Sequence, residues 1–125
     1  MSTLLLKNIH TLITMDATRR EIKDAAVLLR DGIIEHVGTT AELSTQSADE
    51  IINCQNRIVL PGLVNTHHHM VQSLTRVIAQ DDELFRWLKT LYPIWTRLTG
   101  QSLYTASKLA MAELIMSGCT TSSDH

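Results

Sequence analysis

Nine residues, Pro61-Gly62-Leu63-Val64-Asn65-Thr66-His67-His68-His69, constrain this chain more than any other stretch, because an apolar strand runs straight into three histidines. Side chains two apart on a β-strand share a face, so His67 and His69 are expected to project together while His68 faces away. Two imidazoles on one side of a rigid strand end can hold two corners of a divalent-metal site. Pro61 and Gly62 punctuate the start of the strand, and the polar pair Asn65-Thr66 precedes the histidines. A histidine-rich loop holding no metal is the competing reading of a bare His-x-His.

Composition narrows the function classes. The 125 residues carry a net charge of −2, so no basic field draws nucleic acid or an anionic membrane. Leu4-Leu5-Leu6 is too short for a signal-peptide core, and no run approaches the length of a membrane span. Cys54 and Cys119 are widely separated and form no C-x-x-C, which fits a reduced, cytoplasmic compartment and two small buried hydrophobes. The chain stops at Ser122-Ser123-Asp124-His125 without a cap or a following helix. It is therefore read as the N-terminal part of a longer protein, inactive by itself.

Before Pro61 the pattern is that of β-structure. Leu4 to Met15 alternates loosely and predicts two short strands with a break around Asn8-Ile9-His10. Ala25 to Arg30, an Asp31-Gly32 turn and Ile33 to Val37 predict a hairpin. Ala41-Glu42-Leu43 predicts one helical turn, and Ile51-Ile52 and Ile58-Val59-Leu60 predict further short strands. Residues 1–60 are thus expected to form a small antiparallel unit, part of a sandwich. His10 and His36 lie near turns inside it and read as ordinary surface or satisfied histidines rather than ligands.

From Leu63 the pattern changes to strand, helix, strand. Glu83 to Tyr92 has helical spacing, and Pro93 is expected to end or kink that helix. The acidic run Asp81-Asp82-Glu83 favours its dipole. Thr99 predicts an N-cap with an incomplete capping box, since Ser102 stands at the glutamate position. Leu103, Ala106, Ala110 and Leu114 predict the buried stripe of a second helix, Gly118 its C-terminal stop, and Cys119 to His125 a strand. This order implies a parallel β/α unit with a right-handed crossover.

The β-rich lead followed by Pro61-Gly62-Leu63-Val64-Asn65-Thr66-His67-x-His69 resembles the opening of the amidohydrolase superfamily. The likeness continues through Glu83-Leu84-Phe85-Arg86-Trp87-Leu88, Ala112-Glu113-Leu114 and Ser117-Gly118-Cys119-Thr120-Thr121, and so covers nearly the whole chain. It is strongest to the deaminase branch acting on guanine-type bases, S-adenosylhomocysteine and s-triazines. The runs His67-His68-His69-Met70-Val71-Gln72 and Thr121-Ser122-Ser123-Asp124-His125 look closest to its 8-oxoguanine-deaminating members.

The resemblance implies an α/β fold, a TIM (β/α)8 barrel beside a β-sandwich built from both chain ends. Residues 1–60 would be the N-terminal part of that sandwich domain and residues 61–125 the start of the catalytic barrel. Leu63 to His67 and Cys119 to His125 would be barrel strands one and two, placing His67, His69 and His125 at carboxyl strand ends, where barrel active sites lie. It implies one divalent ion on His67 and His69, zinc first and iron second, since imidazole suits both. The remaining ligands and the acid–base residues would come from later strands, outside this chain. The ion would activate a water that attacks an amino-bearing ring carbon, with ammonia leaving. The His-x-Glu and Pro-Cys-x-x-Cys pair of cytidine-type deaminases is absent, so that route to deamination is excluded.

Gln72, Trp95 and His125 are the substrate candidates. A carboxamide both donates and accepts, so Gln72 can pair with the adjacent N–H and C=O of a purine edge; a solvent-facing glutamine fits its spacing equally. Trp87 and Trp95 can stack on a planar ring, yet aromatics at helical spacing more often pack, and Trp87 is assigned to packing. In nucleoside-processing relatives a Pro-x-Glu offers a carboxylate to ribose, where this chain has Pro93-Ile94-Trp95, which favours a free base. His125 lines the pocket from strand two or bonds a neighbouring loop, and Asp124, on the opposite strand face, is a poor partner for it. The resemblance thus implies a metal-dependent hydrolase of C–N bonds in a purine-type base, 8-oxoguanine first. It also implies a homo-oligomer with a small heterocyclic substrate. An s-triazine aminohydrolase or chlorohydrolase and a non-catalytic metal-binding β-domain are the alternatives.

Overall fold

A computed structural model describes residues 2–125, which form two compact units dividing between Pro61 and Gly62. In the first, β1 (Thr3–Ile13), β2 (Glu21–Arg30) and β3 (Ile33–Thr39) pair antiparallel. The Asp31-Gly32 turn places both residues at positive φ, 50° and 80°, the geometry a two-residue hairpin needs. β4 (Glu50–Asn53) and β5 (Ile58–Val59) then pair with β1 in parallel. The sheet is therefore mixed, where the sequence predicts an antiparallel unit. After β3 a single turn around Leu43 crosses one face of the sheet, and Leu43 packs there against Leu5, Ala26 and Leu28. The connection through that leucine leads to β4 on the free edge of β1, where the pairing is parallel.

β1 is one strand, not two. Its predicted break is a bulge between Leu6 and Ile9, with Asn8 at φ 57°, a left-handed conformation that asparagine tolerates. The extra residue resets the alternation, so Leu6 and Ile9 both reach the cluster that includes Leu12, Ala25, Val27 and Cys54. His10 and His36 are exposed, as expected. Cys54 and Cys119 are both free and buried, behaving as small hydrophobes.

The second unit begins with β6 (Leu63–Asn65), followed by a 3-10 helix, Met70–Thr75. Helices α1 (Leu84–Trp95) and α2 (Gly100–Met116) come next, then β7 (Cys119–Ser122), parallel to β6. Both strands stop short of the lengths expected, Leu63 to His67 and Cys119 to His125. The Asn65 side-chain carbonyl accepts the His67 N–H at 3.0 Å, a local turn that withdraws that donor from the ladder. Gly62 lies so close to the Thr120 side chain that any Cβ there would collide with it, which lets the two strands enter side by side.

Helix α1 runs through Pro93 to Trp95. Proline stands in its last turn, where few further i→i−4 bonds remain to be lost, so the helix is tolerated rather than broken. The capping box of α2 is complete. Thr99 Oγ1 accepts the Ser102 N–H at 3.2 Å, and Ser102 Oγ accepts the Thr99 N–H at 3.4 Å, so serine performs the glutamate's role. Gly118 takes φ 83° at the helix end. Of the predicted stripe, Ala106 and Ala110 are buried and Leu114 half-buried, whereas Leu103 is exposed. No helix among the described residues is long and apolar enough to cross a membrane.

A bidentate ion pair joins the segment after the 3-10 helix to α2. The Arg76 guanidinium donates to both Glu113 oxygens, at 3.0 and 2.7 Å. These hydrogen bonds hold the Glu113 carboxyl below its ordinary pKa of 4.5. A carboxyl depressed in the folded state adds stability that is present above its unfolded pKa and lost as pH falls through the folded value. Glu113→Gln in the full-length protein is expected to lower Tm near neutrality by a small amount, both partners being about half exposed. The difference should vanish as pH drops well below 4.5, and thermal denaturation across pH 2.5–7 (about five points) checks it.

Candidate functional site

Strand pairing assembles the histidines. The parallel ladder of β6 and β7 is prolonged beyond both strands: the Ser123 N–H donates to the Asn65 carbonyl at 3.0 Å, and the His125 N–H donates to the His68 carbonyl at 2.9 Å. Residues 67–69 and 123–125 therefore travel side by side past the carboxyl ends of the strands. Asp124, facing the other way, accepts the Met70 N–H at 2.7 Å and caps the 3-10 helix. That role was not visible in the sequence, because the acceptor and its donor are separated by more than fifty residues and no motif links them.

His67, His69 and His125 come together here. The rings of His67 and His69 have centroids 5.0 Å apart at 86°, and the His125 ring lies 5.0 Å from that of His67 and 6.0 Å from that of His69. His67 and His69 thus meet beyond the strand's end, in an irregular segment, rather than by strand alternation. His69 Nδ1 lies 2.8 Å from the His125 carbonyl oxygen. A carbonyl only accepts, so Nδ1 carries the proton and, in the neutral imidazole, Nε2 keeps its lone pair. This is the arrangement in which a metal-binding histidine is held by a backbone carbonyl on its other nitrogen. The residues present fit an imidazole-bound divalent ion to that extent. They supply part of a site: among the described residues no three His, Cys, Asp or Glu side chains converge to hold an ion by themselves.

His125 is occupied by its surroundings. Its Nε2 lies 3.3 Å from the Thr66 carbonyl and 3.4 Å from Ser123 Oγ, so the strand-end histidine bonds a neighbouring loop. His68 is half-buried, and its Nδ1 is buried without a hydrogen-bond partner among the described residues.

Beside the histidines a cavity of about 310 Å³ is lined by His68, His69, Gln72, Arg76 and Trp87, among others. Gln72 is placed there because its N–H donates to the His69 carbonyl at 3.0 Å within the 3-10 turn. Trp95 does not line this cavity, and neither does His125. Trp95 is half-buried, with its indole N–H donating to Thr75 Oγ1 at 3.0 Å. Trp87, read from the sequence as packing, faces the cavity instead. The two tryptophans thus stand the other way round from what the sequence predicts, because helical spacing does not show which ring borders a cavity.

Comparison with known proteins places this geometry in a family. The amidohydrolase family matches residues 58–125. The 8-oxoguanine deaminase of Pseudomonas aeruginosa is 49% identical over 107 residues, covering 82% of this chain and 24% of that protein. The hydroxydechloroatrazine ethylaminohydrolase of Pseudomonas sp. (strain ADP) is 34% identical over 136 residues, covering 100% of this chain and 28% of that protein. Among solved structures, a zinc-bound adenosine deaminase from Xanthomonas campestris superposes with a TM-score of 0.90 at 26% identity, over 98% of this chain and 28% of that one. The chain spans about a quarter of the length of these relatives. The family match covers more than half of the chain and includes all three histidines of the opening motif, so the chain belongs to the amidohydrolase family.

Proposed function

We propose that this chain supplies the first part of a metal-dependent aminohydrolase that removes an amino group from a purine-type base, with 8-oxoguanine the favoured substrate. The observation that carries the reading is the His69 Nδ1 to His125 carbonyl bond with the His67 ring 5.0 Å away, which presents two imidazoles for one ion. Zinc is the favoured ion, and the zinc-bound relative supports it; iron suits the same donors. When bound, such an ion supplies the Lewis acidity that makes a water nucleophilic near neutral pH. The further ligands and the acid–base group belong to later strands.

The rest of the reading concerns this chain's own residues. Residues 1–60 serve as one part of a composite sandwich, and residues 61–125 open a TIM barrel with β6 and β7 as its first two strands. Leu63 and Val64, respectively 52% and 65% exposed, are apolar strand residues that neighbouring strands and helices would cover, which supports that reading. Gln72 holds the base through its carboxamide, His125 stands beside His67 and His69 rather than in the cavity, and Trp95 bears on substrate choice with Pro93 and Ile94. The Pseudomonas aeruginosa relative supports the oxidised purine. An s-triazine substrate is the second reading, favoured by the likeness to the hydroxydechloroatrazine enzyme.

The test is ammonia release by the full-length protein from 8-oxoguanine, guanine, isoxanthopterin, hydroxyatrazine and adenosine. Fastest turnover of 8-oxoguanine is expected. Faster turnover of adenosine than of any free purine would overturn the free-base reading.

His67→Ala and His69→Ala are each expected to remove bound metal and turnover, whereas His68→Ala keeps its metal. Elemental analysis of the purified variants decides this, and full metal occupancy in His67→Ala would rule the ligand assignment out. Gln72→Leu is expected to keep metal while losing about 1–3 kcal/mol of transition-state stabilisation, the cost of leaving the base edge unpaired. That corresponds to roughly a five- to 150-fold fall in kcat/KM on the purine, which steady-state kinetics measures.

A further inference from the structure

The two tryptophans of the second unit stand in different relations to the cavity beside the histidines. Trp87 lines it together with His69 and Gln72. Trp95 stands behind. Its indole N–H donates to Thr75 Oγ1 at 3.0 Å, and the same hydroxyl lies 3.2 Å from the Gln72 carbonyl oxygen. An indole N–H can only donate and a carbonyl can only accept, so the single hydroxyl proton points at Gln72. The relay Trp95 to Thr75 to Gln72 has one direction and one arrangement. Thr75 is buried at 6% exposure, so deleting either partner leaves a polar group short of a hydrogen bond away from water.

The rings form a second connection. Trp87 and Trp95 meet with centroids 5.3 Å apart at 74°, and Tyr92 meets Trp95 at 5.6 Å and 85°. A T-shaped contact occupies at most one face of Trp87, and the cavity side stays open to a ligand. The Gln72 backbone is held at both ends, by the His69 carbonyl at its N–H and by Thr75 at its carbonyl. One indole therefore braces both the aromatic wall and the backbone from which the carboxamide projects.

We propose that Trp87 is the wall on which a planar heterocycle stacks beside the Gln72 carboxamide, and that Trp95 is a positioning residue acting through Trp87 and Thr75. This rests on the aminohydrolase reading and names the residues that shape its substrate site. Stacking of a base on an aromatic face follows from the ring's π-surface and does not depend on which base is presented. The carboxamide then selects the edge.

The test uses the full-length protein and two planar probes that carry no amino group to lose, uric acid and cyanuric acid, with binding followed by calorimetry. The unaltered protein is expected to bind uric acid. Trp87→Leu should weaken that binding by roughly five- to 150-fold, the range measured for base–aromatic stacking, with metal content unchanged. Trp87→Phe should keep most of it. Trp95→Phe and Thr75→Val should each weaken binding a few-fold, and the double variant should be no worse than the weaker single one, because both break the same relay. Where Trp87→Leu lacks a cooperative thermal transition, Trp87→His and Trp87→Met make the same comparison, the ring retaining binding and the flexible chain losing it. Undiminished binding by the Trp87 variants would overturn the stacking wall. Additive losses in Trp95→Phe and Thr75→Val would overturn the relay. Failure of the unaltered protein to bind either probe would overturn the functional reading and this inference together.

Discussion

Parallel pairing between β6 and β7 is the constraint on which the site depends. The two strands are short, and their ladder alone would bring only Leu63 to Asn65 beside Cys119 to Ser122. Two further backbone bonds, Ser123 N–H to Asn65 and His125 N–H to His68, extend the alignment past both strand ends. Without that extension His69 would have no carbonyl at its Nδ1, and its ring would be free to present either nitrogen. The histidine geometry is thus set by main-chain hydrogen bonding rather than by side-chain packing. Gly62 is part of the same device, since a side chain there would push against Thr120 and part the strands.

A second layer of support comes from the segment between the histidines and α1. The 3-10 helix is capped at its start by Asp124 and braced at its last residue, Thr75, by Trp95. Just beyond it Arg76 clamps Glu113 of α2. Each of these contacts ties a loop residue to a helix or to the end of β7. A six-residue 3-10 run is longer than usual and has poorer hydrogen-bond geometry than an α-helix. The side-chain anchors at its two ends compensate for that weakness. Gln72 lies between them, with its backbone bonded to the His69 carbonyl and to Thr75.

The first unit obeys a different logic. Its core is made by β1 and β2, with Ile9 and Ala25 wholly buried, and the bulge at Asn8 lets Leu6 and Ile9 face one cluster despite their odd spacing. Leu43 closes the opposite face from a single turn. Neither cluster includes a histidine, and His10 and His36 stay at the surface.

Much of this was legible in the residues themselves. Asp31-Gly32, Thr99 and Gly118 are local signals, each acting within a few residues of itself, and the turn, the cap and the helix stop appear where such chemistry places them. The three histidines are also marked by their spacing, although His67 and His69 meet in an irregular segment beyond the strand and not by strand alternation. What the sequence could not contain is the partner of each long-range bond. The His125 carbonyl, Asp124 as a cap and the different placements of Trp87 and Trp95 all depend on which residues the fold brings together. The parallel course of β4 and β5 is of the same kind, since strand propensity does not specify pairing direction. Local chemistry determined the elements, and tertiary hydrogen bonding decided which nitrogen of His69 faces the site.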